Sequence, residues 1–191
     1  MNRKKAILSI FVLGGGAVAS YSGNWFYNIN KTPDFQFLEA HMPLIADLAE
    51  TIIPRTNSPG AKDVKAEEII ISLIKNGGSR KIQNNFIEGL KDTDRVSMSR
   101  YQKPFIDLDL PQQKTVVEHL RDKGKNFLGI LGIPRNKVLG KSFFDILKYY
   151  STVAYCTSLQ GTTETLAYDC VPGRYNGCVP LGHNQKSWAT K

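Results

Sequence analysis

The sequence lacks the local motifs by which a chain usually holds a cofactor or a metal ion. It has no phosphate-binding glycine–lysine loop, no Cys-x-x-Cys-His for haem attachment and no His-Glu-x-x-His for zinc. Residues 14–16 are glycines, but no strand precedes them, so they do not form a dinucleotide-binding turn. The histidines His41, His119 and His183 are isolated from one another in the chain. We therefore predict no catalytic, cofactor-binding or metal site in this chain.

Cysteine, proline and glycine are too scarce to place the chain in a specialised class. Three cysteines exclude a disulfide scaffold, and nine prolines with 16 glycines exclude collagen-like and low-complexity chains. Hydrophobic residues make up 41% of the sequence and charged residues 22%, which is typical of a folded protein. A length of 191 residues favours one domain with a core of its own.

Residues 1–19 have the parts of a signal peptide. Three basic residues, Arg3 to Lys5, precede an apolar run over residues 6–19 that ends in a small-x-small pattern. The run is about 14 residues long, whereas roughly 20 are needed to span a bilayer. We expect cleavage and export to the periplasm or cell envelope, either by the Sec route or through a degenerate twin-arginine signal that lacks its second arginine. A retained anchor and a buried N-terminal helix are the alternatives.

The net charge of +8 does not indicate nucleic-acid binding. Cleavage of the signal takes three of the 25 basic residues and leaves 22 against 17 acidic ones. These basic residues are spread over the chain and interleaved with acids, as in residues 91–95, instead of clustering in a known motif. We expect a solvated surface with a mild preference for acidic partners or anionic membrane.

The pattern of apolar residues predicts an all-α protein, a small bundle of about five or six helices. We divide the chain into an N-terminal arm over residues 20–33, a helical domain over 34–158 and an irregular tail over 159–191. From Asp34 the apolar residues recur at three-and-four spacing, and Pro43 either kinks this helix or begins a second one. The proline- and glycine-rich residues 54–63 predict a defined loop.

Short polar residues and glycines mark further helix ends. Asp63 is the predicted N-cap of the next helix, which ends at Gly77 and Gly78. Ser79 is predicted to cap the following one, and Pro111 to begin another.

Two of the three cysteines lie close together in the tail. Cys170 and Cys178 flank a Pro-Gly turn, and export would expose them to an oxidising compartment, so we predict a disulfide between them. The alternative is that both are free or paired elsewhere. Cys156 is expected in a helix.

Three segments together resemble one family. They are the loop PRTNSPGAKD after an Ile-Ile-Pro helix end, a Phe143-Phe144 helix that closes in residues 157–161, and the tail VPGRYNGCVPL. In this order they resemble the gluconate 2-dehydrogenase subunit 3 family over roughly residues 35–181.

The resemblance implies an accessory subunit without catalytic activity of its own. The partner would be a large flavoprotein that carries FAD and oxidises a sugar, sugar acid or alcohol, and the small subunit would bind it and support its maturation or export. A cytochrome subunit is a further candidate partner, and the complex could bring the chain to a membrane. The candidate interface residues are Pro54, Arg55, Thr56, Pro59, Gly60, Tyr168, Pro172, Gly173, Arg174 and Tyr175.

Two other functional classes compete with this interpretation. A stand-alone envelope binding module would use the same tail aromatics to line a ligand site. A hydrolase using Cys156 or a histidine has no visible nucleophile–base pair to support it.

Overall fold

Six α-helices form the part of the chain that the structure describes. The computed structural model describes residues 30–125, 140–168, 171, 173, 178, 180 and 182–189. The helices are α1 (Phe35–Ala40), α2 (Met42–Ile52), α3 (Ala66–Gly77), α4 (Arg80–Tyr101), α5 (Leu110–Lys125) and α6 (Phe143–Thr157). A short 3₁₀ turn over Phe105–Asp107 and a π-helical turn over Gly161–Thr165 complete the set. Within these ranges there is no strand, only an isolated bridge between Ala167 and Trp188, and the all-α prediction is confirmed.

Pro43 begins a helix instead of kinking one. The first helix ends at Ala40, His41 separates the two helices, and Pro43 lies in the first turn of α2. A proline is tolerated there because its missing N–H would have no intrahelical partner in any case. Asp34 starts the preceding helix by accepting a hydrogen bond from the N–H of Phe37 at 3.0 Å.

The predicted capping of α3 and α4 is only partly correct. Asp63 is not the N-cap of α3: the helix begins at Ala66 after Lys65, whose φ is +52°, and the Asp63 carboxylate binds the loop before it. The stop at Gly77 is confirmed. Ser79 precedes α4, but its side chain makes no capping hydrogen bond. The amide of Gln83 instead donates to the carbonyls of Ile74 and Lys75 at the end of α3 (3.0 and 3.1 Å).

The core is formed by the apolar stripes of all six helices. Fully burying one aliphatic or aromatic side chain of this size is worth about 1.5–3 kcal/mol, so these stripes are the main source of stability. The largest side chains with almost no exposure are Leu38, Leu44, Ile45, Leu48, Ile70, Ile74, Phe86, Ile87, Leu90, Phe105, Ile146 and Leu147. No helix in the described ranges is long and apolar enough to cross a membrane.

Helix α6 is the central element of the bundle. It packs against α2, α3, α4 and α5, most extensively against α3. Ser142 starts it by a reciprocal cap, in which its hydroxyl accepts from the N–H of Asp145 (3.2 Å) and donates to the Asp145 carboxylate (2.6 Å). The first residue, Phe143, packs beside Phe86 with ring centroids 5.5 Å apart.

Gly89 makes the close packing of α4 on α6 possible. A Cβ atom at this position would lie 2.0 Å from Cδ2 of Phe143, closer than any real contact. We expect Gly89→Ala to lower the free energy of unfolding by about 1–3 kcal/mol, the usual cost of overpacking. Urea denaturation followed by circular dichroism measures this loss.

Gly77→Ala is the matched control, because a Cβ there would meet nothing within 4 Å. It should leave the stability unchanged or raise it by up to about 1 kcal/mol, since alanine favours helix. Equal unfolding midpoints for the two variants would contradict the assigned packing.

Candidate partner interface

The loop over residues 54–63 is held in one shape by carboxylates. Glu50 on α2 accepts the backbone N–H of Arg55 at 2.8 Å and that of Lys62 at 2.9 Å. Asp63 accepts the N–H of Gly60 at 2.8 Å, and its second oxygen pairs with the Arg55 guanidinium at 3.2 Å. Both ends and the middle of the loop are therefore tied to ionised acceptors, whose hydrogen bonds are about twice as strong as neutral ones.

An ion pair between a buried carboxylate and an exposed lysine fixes the end of this loop to the core. Asp47 on α2 is 8% exposed, and its carboxylate pairs with the ammonium group of Lys62. Since a buried carboxylate without a cation is costly, this pair holds Lys62 against α2.

Gly60 is required by the close approach of the loop to its own acceptor. A Cβ here would lie 2.4 Å from Oε1 of Glu50 and 2.7 Å from the backbone nitrogen of Arg55. Any larger residue would push the carboxylate away from the N–H groups that it accepts.

Tyr155 connects this loop to α6 and to the tail. Its hydroxyl donates to the carbonyl of Pro59 at 2.8 Å and lies 2.7 Å from Oγ1 of Thr165. A tyrosine hydroxyl has only one proton, so Thr165 donates in the second bond. The side chain is 5% exposed, which makes both bonds internal to the protein.

The end of α6 turns sharply into the tail at Ser158 and Gly161. The Ser158 hydroxyl donates to the carbonyl of Tyr155 (2.7 Å) and accepts from the N–H of Gly161 (3.0 Å). A Cβ on Gly161 would lie 2.0 Å from that same carbonyl. The π-helical turn over Gly161–Thr165 begins here, and it places Thr165 beneath Tyr155.

The described part of the tail folds back on itself. Ala167 donates to the carbonyl of Ser187 at 2.8 Å, and its own carbonyl accepts from Ala189 at 2.9 Å. Several large apolar side chains nevertheless remain exposed in this region: Leu159 (80%), Val171 (77%), Trp188 (58%) and Tyr168 (50%). We call these four residues together with the loop over residues 54–63 the loop–tail surface.

A sequence profile described as Gluconate 2-dehydrogenase subunit 3 matches residues 39–173, which is more than half of the chain. The chain belongs to the gluconate 2-dehydrogenase subunit 3 family. The matched range contains the loop over residues 54–63, α6 and the π-helical turn, so the connection through Tyr155 lies inside the family region. No curated protein and no solved structure matches the chain.

The structure places the predicted interface residues of this subunit 3 chain in different environments. Pro54, Arg55 and Thr56 are exposed, and so are Tyr168 and Gly173. Pro59 is half-buried and Gly60 is buried, so these two shape the loop from inside. The remaining predicted residues, Pro172, Arg174 and Tyr175, lie outside the described residues.

The predicted disulfide is not supported. Cys178 is exposed and free, and its predicted partner Cys170 lies outside the described residues. Cys156 lies in α6, as predicted, where it is half-buried and free.

Among the described residues, no group of three or more His, Cys, Asp or Glu side chains is arranged to hold a metal ion. Burial raises the pKa of Tyr150, and the neighbouring Tyr149 raises it further. This keeps the Tyr150 phenol protonated through the neutral range, as an ordinary tyrosine is.

Sequence reasoning missed the residues that give the site its shape. Asp47, Glu50, Tyr155 and Thr165 carry no motif of their own, and in the sequence they are ordinary helix or loop positions. The available signal was the pair of glycines at 60 and 161, which are needed only where backbone or carboxylate approaches closely.

Removal of the Tyr155 hydroxyl should loosen the loop from the tail. Tyr155→Phe leaves the Pro59 carbonyl and the Thr165 hydroxyl without this partner, so we expect a loss of about 1–3 kcal/mol in the free energy of unfolding. Urea denaturation measures this loss, and amide exchange of Gly60 and Lys62 should accelerate.

Tyr149→Phe serves as the control, because the Tyr149 side chain is 54% exposed. Its effect should stay within about 0.5 kcal/mol. If Tyr155→Phe unfolds at the same urea concentration as the control, the hydroxyl does not hold the loop.

Proposed function

We propose that this chain is the non-catalytic small subunit of an FAD-dependent dehydrogenase that oxidises a sugar, a sugar acid or an alcohol, and that its loop–tail surface binds the large flavoprotein. The flavin belongs to the large subunit. The small subunit binds that subunit and supports its maturation or export.

The observation that carries the proposal is the loop–tail surface itself. Its loop is preformed by internal hydrogen bonds, so binding would cost little ordering entropy. The tail, which meets this loop through Tyr155, carries exposed aromatic and aliphatic side chains of the type that anchors protein interfaces.

A tagged chain purified from its native envelope in mild detergent should carry a flavin-containing protein several times its own size. The isolated chain should be colourless and should not reduce an artificial acceptor with any sugar or alcohol. Absorbance near 450 nm in the captured fraction, and its absence in the isolated chain, tests both statements. A flavin spectrum in the isolated folded chain would refute the assignment, and repeated capture without flavin would favour a stand-alone binding module.

A comparison of two tyrosines of similar exposure tests where the interface lies. Tyr168 lies on the loop–tail surface and is 50% exposed, whereas Tyr149 on α6 lies outside it and is 54% exposed. We expect Tyr168→Ala combined with Trp188→Ala to weaken the complex tenfold or more, since truncating an interface aromatic commonly costs at least about 1–2 kcal/mol. Tyr149→Ala should leave the affinity within about twofold, and an equal loss in both variants would place the interface elsewhere.

Export of the chain follows from its first 19 residues, which lie outside the described range. As a signal peptide they would place the subunit in the periplasm or cell envelope, where it would meet its flavoprotein. Fusion of residues 1–33 to a reporter that is active only after export tests this. Replacing Arg3, Lys4 and Lys5 by glutamine should abolish reporter activity, and full activity in that variant would show that the segment is no signal.

A further inference from the structure

A second feature of the surface is a cationic groove between α2, α5 and α6. The volume of this open groove is about 340 Å³. Its apolar floor includes Ile52, Val117 and Phe144, and its rim carries Lys114, Arg121 and Lys148 with a single carboxylate from Glu118. The bundle fold brings these charges together, because α5 supplies Lys114 and Arg121 while α6 supplies Lys148.

The two lysines of the rim are not neutralised by the protein. Arg121 pairs with its neighbour Asp122 at 3.2 Å, but neither Lys114 nor Lys148 forms an ion pair with any carboxylate of the described chain. Both lysines are exposed. A groove with an apolar floor between two unpaired ammonium groups is complementary to a ligand that combines carboxylates with an apolar side chain.

We infer that this groove binds an acidic segment of the flavoprotein subunit, with an aromatic or aliphatic side chain of that segment on Phe144. The inference rests on the proposed function. The groove lies at the end of α2 that leads into the loop, since its lining residue Ile52 is the last residue of that helix. The two unpaired ammonium groups of the rim favour an acidic occupant over a neutral or basic one. A second copy of this chain is a poor occupant, because it has 25 basic residues against 17 acidic ones.

Charge reversal tests the groove in the complex. Lys114→Glu combined with Lys148→Glu should weaken flavoprotein binding tenfold or more and flatten its dependence on salt, because two attractive charges become repulsive. The control is Arg80→Glu with Lys103→Glu, which changes the net charge equally at exposed positions outside the groove. Lys114→Arg combined with Lys148→Arg should keep the wild-type affinity for the flavoprotein, because both positive charges are retained. Equal loss in the control, or no loss in the groove variant, would overturn the inference.

A probe peptide separates this inference from the proposed function. The peptide Asp-Glu-Phe-Glu-Asp, titrated into the isotopically labelled chain, should shift the amide resonances of Val117, Phe144 and Lys148 in the wild type but not in the double lysine variant. Its amide counterpart Asn-Gln-Phe-Gln-Asn should produce no such shifts. If no flavoprotein is captured but these shifts appear, the proposed function fails while the acidic-segment site stands. Shifts that are absent, spread over the surface or reproduced by inorganic phosphate would show that the groove is no acidic-segment site.

Discussion

The packing of α6 against α2, α3, α4 and α5 is the constraint on which the rest of the structure depends. Because this helix contacts α2, α3, α4 and α5, its position cannot change without disturbing the apolar stripes of these four helices. Its start is set by the Ser142 cap and by the contact of Phe143 with Gly89, and its end places Tyr155 beneath the loop over residues 54–63. The loop and the tail are separate in the chain, and they become neighbours because one rigid helix ends between them.

The shape of the loop depends on hydrogen bonds to carboxylates and on one buried residue, Ala61. Asp47, Glu50 and Asp63 accept backbone N–H groups or pair with Lys62 and Arg55, and the buried Ala61 adds a contact with the hydrophobic core. Its outer face is therefore free to present Pro54, Arg55 and Thr56 to solvent. This combination suits an interface that is formed before its partner arrives, because the hydrogen bonds that shape the loop are internal to the chain.

We propose that the oxidation involves two chains, one that carries the cofactor and one that does not. The cofactor performs the difficult electron chemistry, and a protein surface can contribute by holding the chain that carries it. In our proposal the loop–tail surface supplies the affinity and the cationic groove supplies the choice of partner. Apolar contacts determine how long a complex lasts, whereas charges determine which partner is attracted and in which orientation.

The sequence by itself determined the class of fold, the positions of most helices and the family. Apolar spacing is a local property, so the stripes of α2, α3 and α6 could be read without a structure, and the glycine stop at Gly77 followed the same logic. Only the tertiary structure decided that Pro43 begins a helix and that Asp63 binds the loop instead of capping α3. It alone joined Tyr155 to Pro59 across 96 positions of the chain. Local propensities cannot anticipate such bonds, because the partner of a polar side chain is whichever unsatisfied group the packed helices bring within reach.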